Sequence, residues 1–211
     1  MLHMIEANHR SIYVKFLKLY TALNLRLSFR KVTVEGESVV PADKPLLLIG
    51  NHFSWWDGFF AYYLNYTLWQ RKFHVMMLEE QLATRMFLNK AGAYSVRRGS
   101  RSVIDSLNYT SRLLKKAENL VVIYPQGEIS SLYTYPVRFE RGIDRIIRNA
   151  GSEITVLFYV ALIDWFSSKK PSLTLRLRKY DYSGTPGHDE LEKAFNSLIA
   201  DSVAAQIPGK E

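Results

Sequence analysis

His52 and Asp57 stand five residues apart in the segment Asn51-His52-Phe53-Ser54-Trp55-Trp56-Asp57-Gly58, directly after the apolar run Leu46-Leu47-Leu48-Ile49. An imidazole beside a carboxylate can take a proton from a hydroxyl while the carboxylate holds the tautomer and stabilises the imidazolium. The spacing restricts where such a pair can meet. Five residues on a regular helix subtend about 140°, because each residue turns roughly 100°. Contact therefore predicts a turn-to-helix junction, with His52 in the turn and Asp57 in the first turn of the helix. Ser54 or Asn51 is then the candidate cap, and a carboxylate at that end is favoured by the helix dipole. Taken in isolation, the pair also reads as a structural histidine beside a capping aspartate.

Three further segments raise the first reading. They are Gly92-Ala93-Tyr94-Ser95-Val96-Arg97-Arg98, Tyr124-Pro125-Gln126-Gly127-Glu128-Ile129-Ser130 and Phe139-Glu140-Arg141-Gly142. Together with Asn-His-x-Ser-x-x-Asp they resemble, in order and spacing, the motifs of the lysophospholipid and glycerolipid acyltransferase family over residues 46–163. That resemblance implies His52 and Asp57 as the catalytic pair. It implies substrate contacts from Asn51, Ser54, Arg98, Gln126, Gly127, Glu128 and Arg141. Several positions depart from the family pattern. Gln126 stands where Glu is usual, Glu128 where Thr is usual, and Ile129 where an Arg usually helps hold the acceptor phosphate. The fourth motif, Val156-Leu157-Phe158-Tyr159-Val160, lacks its usual Pro. Loss of an Arg removes a bidentate phosphate contact. Either Arg98 and Arg141 take over that work, or the acceptor head group is not a phosphate.

The chemistry implied by the resemblance is direct transfer of a fatty-acyl group from acyl-CoA or acyl-carrier protein to a lysolipid hydroxyl, on lysophosphatidic acid or a lyso-aminolipid. His52 is the expected general base, and backbone N–H groups around Gly127 are candidate oxyanion donors. No Gly-x-Ser-x-Gly elbow and no cysteine is present, which suits a route without a covalent acyl-enzyme. The five histidines are scattered without metal-ligand spacing, and no Gly-rich phosphate loop occurs, so no cofactor beyond the donor is expected.

The elements that must position these residues alternate. Strands are predicted at residues 32–35, 46–50, 73–78, 93–97, 120–124, 154–163 and 173–179. Helices are predicted at residues 11–29, 55–70, 79–90, 101–118, 139–150 and 189–204. This alternation predicts a single α/β domain with a mixed, mostly parallel sheet flanked by helices. In such sheets sites gather at the carboxyl ends of strands, and segments 51–58, 97–101 and 125–130 each follow one. The helix over 139–150 would carry Arg141, Arg145 and Arg148 opposite an apolar side. The basic residues Lys169, Lys170, Arg176, Arg178 and Lys179 read as a solvated edge strand.

Residues 1–30 read as an N-terminal amphipathic helix preceding the acyltransferase domain at 31–211. Ile12, Phe16, Leu19, Tyr20, Leu23 and Leu27 share one side of it, widened by Tyr13 and Leu17. Such a helix packs on its own domain or lies in a membrane interface. The chain has a net charge of +8 with 13 Tyr, 11 Phe and 4 Trp, a balance that suits an anionic membrane surface or single-stranded nucleic acid. No nucleic-acid motif appears and the basic residues are dispersed, so the expected partners are the membrane surface, the lysolipid and the acyl donor. The longest apolar run, 156–163, is far short of the ~20 residues of a membrane span. The first ten residues lack a signal-peptide core. The expected location is cytoplasmic, peripheral on the inner face of the membrane. The alternatives are a catalytically silent membrane-surface protein with the same fold, and a basic nucleic-acid-binding protein.

Overall fold

A computed structural model describes residues 4–99, 102–151 and 153–206. The chain runs α1 (Ser11–Ser28), β1 (Lys31–Gly36), β2 (Leu46–Gly50), α2 (Asp57–Leu64), β3 (Lys72–Leu78), α3 (Glu79–Ala83), α4 (Met86–Asn89) and β4 (Ala93–Val96). It continues with α5 (Val103–Leu113), β5 (Asn119–Ile123), α6 (Ile143–Ala150), β6 (Thr155–Asp164), β7 (Ser172–Tyr180) and α7 (His188–Gln206). Helix α2 is prolonged by a wider π-turn, Asn65–Trp69, that ends at Gln70 in the left-handed region. The strands form one sheet in the order β1-β7-β6-β2-β5-β3-β4. Among the described residues, only the β6–β7 pair within it is antiparallel.

The sequence explains which strands are central. β2 and β5 are continuous apolar runs buried along their whole length, as befits parallel strands covered on both faces. Successive side chains point to opposite faces. Leu46, Leu48, Leu120 and Val122 pack with Phe60 of α2 and Leu17 of α1 on one face. Leu47, Ile49, Val121 and Ile123 pack with Ile146 of α6 and Phe195 of α7 on the other. Because β2, β4, β5 and β6 run the same way, the segments that follow them meet at one end of the sheet.

The segment before α1 covers the outer edge of β4. Ser95 N–H donates to the Ile5 carbonyl at 2.9 Å and Arg10 N–H to the Lys90 carbonyl at 2.8 Å. Ile5 N–H donates to Ser95 Oγ at 2.7 Å. His9 Nε2 donates to the Phe73 carbonyl at 2.8 Å, and its ring meets that of His74 edge-on at 4.7 Å. An edge strand that would otherwise offer free N–H and C=O groups is thereby closed.

Several expectations need correction. β7 is not a solvated edge: it lies between β1 and β6. Arg176 is spent on Glu35, the Ser202 carbonyl and Gln206, and Arg178 on Asp201. The helix expected over 79–90 is two short ones, α3 and α4. The Thr84 hydroxyl donates to the Gln81 carbonyl at 3.0 Å, a side-chain bond that competes with helix continuation. The helix expected from residue 139 starts at Ile143, because Gly142 has a φ of 120°, a left-handed conformation outside the helical region. Phe139 still reaches the core from the preceding loop.

Helix α1 packs on α2, but not by the side that the apolar stripe suggested. Leu17, Thr21 and Leu25 are its buried residues, and Tyr62 Oη donates to the Val14 carbonyl at 3.0 Å. Ile12, Phe16, Leu19, Tyr20, Leu23 and Leu27 are exposed. Among the described residues, no helix is long and apolar enough to cross a membrane.

Candidate active site

The loop between β2 and α2 is wound around one carboxylate. Asp57 Oδ2 accepts from Phe53 N–H, Ser54 N–H and His52 Nδ1, each at 2.8 Å. Three donors on one oxygen force residues 52–54 into a turn and bring the imidazole onto the carboxylate. Asp57 opens α2, so the pair sits at the turn-to-helix junction that its spacing requires. With Nδ1 engaged, Nε2 is the nitrogen left to meet a substrate. The Asp57 side chain is fully buried, whereas that of His52 is 22% exposed. Burial pushes the Asp57 carboxyl above the usual carboxylate range, against the opposing hydrogen bonds from His52, Ser54 and Phe53. Its Oδ1 is buried without a hydrogen-bond partner among the described residues.

Beneath the pair lie two tyrosines. The imidazole of His52 stacks on the Tyr124 ring, with centroids 4.5 Å apart and planes 19° from parallel. Tyr124 and Tyr159 hydroxyls are 2.8 Å apart. Burial, joined by repulsion from the Asp57 charge, holds both phenols well above the ordinary tyrosine value. Tyr159 lies opposite Gly50 in the β2–β6 register. A Cβ at Gly50 would fall 2.2 Å from the Tyr159 ring, so only glycine lets the phenol pass.

The other expected residues fall into two groups. Arg98, Gly127, Glu128 and Arg141 line a cavity of about 490 Å3 together with His52. Asn51, Ser54 and Gln126 build the loop instead. The Asn51 amide is consumed by both backbone groups of Ala161, at 2.9 and 3.0 Å. It thus ties the end of β2 to β6, and neither it nor Ser54 makes a side-chain cap on α2. Ser54 Oγ accepts from Trp56 N–H at 3.1 Å. Gln126 Oε1 accepts from His52 N–H at 2.7 Å and its Nε2 donates to Ser130 Oγ at 2.6 Å, clamping the Pro125–Ser130 turn to the loop that carries His52. The Gly127 N–H expected as an oxyanion donor is already given to the Tyr124 carbonyl at 3.0 Å.

The cavity interior is apolar, with Phe59, Phe73, Met77, Leu88, Ile143 and Ile146 among its walls. Its volume lies within the roughly 300–1,000 Å3 typical of small-molecule sites. Arg97 turns away to pair with Glu79, and Arg101 lies outside the described residues. On α6, Arg148 pairs with Asp144 at 3.3 Å and Arg145 bonds Asn108 at 3.4 Å, which accounts for part of the basic face. Two site residues were not singled out from the sequence: Tyr159 and Glu140. The signal for Tyr159 was the glycine that ends an otherwise aliphatic strand.

The acyltransferase family model matches residues 31–160. The chain belongs to the acyltransferase family. The match takes in every motif that builds the site, and it places the chain among the O-acyltransferases. A comparison with curated proteins found no match. Among solved structures, the 1-acyl-sn-glycerophosphate (LPA) acyltransferase PlsC from Thermotoga maritima superposes with a TM-score of 0.64 over 91% of this chain and 79% of its own. At 17% identity that likeness establishes a shared acyltransferase fold.

Proposed function

We propose that this acyltransferase moves a fatty-acyl group from acyl-CoA or acyl-carrier protein to a lysolipid hydroxyl, with His52 as general base. The observation that carries the reading is that His52, backed by the buried Asp57, lines a largely apolar cavity. Nε2 of His52 takes the acceptor hydroxyl proton as the oxygen attacks the thioester carbonyl. The tetrahedral intermediate then expels the thiolate, which recovers the proton from the imidazolium. Asp57 holds the tautomer and offsets the imidazolium charge. The apolar walls suit a hydrocarbon chain, each buried methylene contributing about 0.8 kcal/mol.

The reaction is assigned to a membrane surface, cytoplasmic and peripheral on the inner face. The exposed side of α1, from Ile12 to Leu27, supports this, since an amphipathic helix with Lys and Arg beside its apolar stripe binds anionic lipid interfaces. The test is acyl transfer by the purified chain to lysolipid in anionic vesicles. His52→Ala is expected to lower kcat about 10²–10⁴-fold, with folding checked by circular dichroism. Near-normal turnover by the folded variant refutes the assignment.

A further inference from the structure

The rim of the cavity carries two cations, Arg98 and Arg141, and two carboxylates, Glu128 and Glu140. Arg98 is held from three directions. Its Nη1 lies 3.5 Å from Glu128 Oε2, and its Nη2 lies 3.3 Å from Glu140 Oε1 and 3.5 Å from the Gln126 carbonyl. Its guanidinium rests across the backbone of Gly127. A Cβ at that position would stand 2.4 Å from Nη2 and 2.9 Å from Glu140 Cγ. The missing side chain of Gly127 therefore lets one arginine reach both carboxylates. The neighbouring cavity-lining residue, Ile129, is 53% exposed and offers no hydrogen-bond donor from its side chain.

We propose, resting on the acyl-transfer reading above, that the acceptor head group carries no net negative charge, being a neutral polyol or a zwitterionic amino-acid head rather than a phosphate monoester. A phosphate monoester carries about −1.5 to −2 at neutral pH and is best held by an unoccupied arginine fork. At Arg98 the fork is already engaged by carboxylates. A phosphate would have to displace both of them, or share the guanidinium with two like charges at close range. Hydroxyl or ammonium groups can donate to the same carboxylates without bringing a further negative charge beside them. The Ile129 side chain gives such a head apolar contact. Arg141, which lines the same cavity, has no ion pair among the described residues; its free guanidinium is assigned to the anionic acyl donor, which leaves the carboxylate-paired Arg98 to face the acceptor.

The test uses the full chain and lysolipid analogues that lack the acceptor hydroxyl, so that binding is read without turnover. Three heads are compared in neutral detergent micelles by intrinsic tryptophan fluorescence: phosphate, glycerol and serine. The glycerol or serine analogue is expected to bind at least tenfold more tightly than the phosphate analogue, and the two arms tell neutral from zwitterionic recognition. In Glu128→Gln/Glu140→Gln, and independently in Ile129→Arg, phosphate affinity is expected to rise at least fivefold. Equal or tighter phosphate binding by the unaltered chain overturns the proposal. So does an absence of binding by every head, or phosphate affinity unchanged in both folded variants. Failure of intact lysolipids to be acylated, with this order of binding preserved, counts against the transferase reading alone.

Discussion

The hydroxyl of Tyr159 donates to the main-chain carbonyl of Asp57 at 3.2 Å. Tyr159 in turn accepts from Tyr124, the ring on which His52 lies. The His52–Asp57 pair is thus fixed from beneath as well as through the Asp57 carboxylate. The first anchor sets the start of α2, and the second sets the plane of the imidazole.

Tyr159→Phe removes one buried hydrogen bond from each partner while keeping the ring that fills the space above Gly50. At about 1 kcal/mol for such a bond, kcat is expected to fall about fivefold with KM nearly unchanged. Steady-state kinetics on the folded variant separate the two parameters. A change confined to KM would instead place Tyr159 in substrate binding.

Asp57→Asn is expected to separate activity from stability. The folded pKa of Asp57 lies above its unfolded value. Its protonation therefore favours folding, and that contribution declines as pH rises from the unfolded value through the folded one. At neutral pH the buried charge is a standing cost. Asparagine keeps an oxygen for the Phe53 and Ser54 N–H groups and carries no charge. Turnover should drop about 10²–10⁴-fold while Tm at neutral pH holds or rises, as scanning calorimetry would show.

The acid limb of stability should report His74. Burial, joined by repulsion from His9 and Lys72 and opposed by Asn119, lowers its pKa to about 3 from 6.5. A depressed histidine stabilises fully above its unfolded value, and that stability is lost as pH falls from 6.5 towards 3. Urea midpoints should decline across this window by an amount worth on the order of a few kcal/mol. His74→Gln should flatten the decline. An unchanged slope in the variant would assign the acid sensitivity elsewhere.

The two sides of α1 should answer to different measurements. Phe16→Glu and Leu23→Glu alter exposed residues, so stability should move by no more than about 0.5 kcal/mol, while flotation with anionic vesicles should fall severalfold. Leu17→Ala empties a buried site and should cost about 2–5 kcal/mol. Vesicle binding that survives both glutamate substitutions removes α1 from the membrane contact.

All seven strands were legible in the sequence, because each is a short run, continuously apolar in β2 and alternating in β1 and β7, set off by turn residues. The His52–Asp57 junction was legible from spacing alone. Helix boundaries were less so, since a left-handed Gly142 or a back-bonded Thr84 leaves no mark in hydrophobic periodicity. The orientation of α1 was hidden for another reason. Its apolar residues extend over more than one face, and only the partner helix decides that Leu17, Thr21 and Leu25 go inward. Asn51 and Gln126 lie inside recognisable motifs, yet their distant partners, the Ala161 backbone and the His52 N–H, are fixed by tertiary geometry. Tyr159 reaches the site from a strand more than a hundred residues away in sequence, so local pattern could not place it there.

The pairing of β1 with β7, beginning at Lys31 opposite Ser172, has a consequence for synthesis on the ribosome. β1 is the first strand to be made, and its partner is the last. The central strands can associate once β6 has emerged, but the flank beyond β6 must wait for β7. Until then β1 is tethered to the nascent chain without a neighbour, beside a helix that presents Phe16 and Leu23 outward. Contacts so distant in sequence slow folding, and they leave β1 unpaired until the other six strands of the sheet have been made.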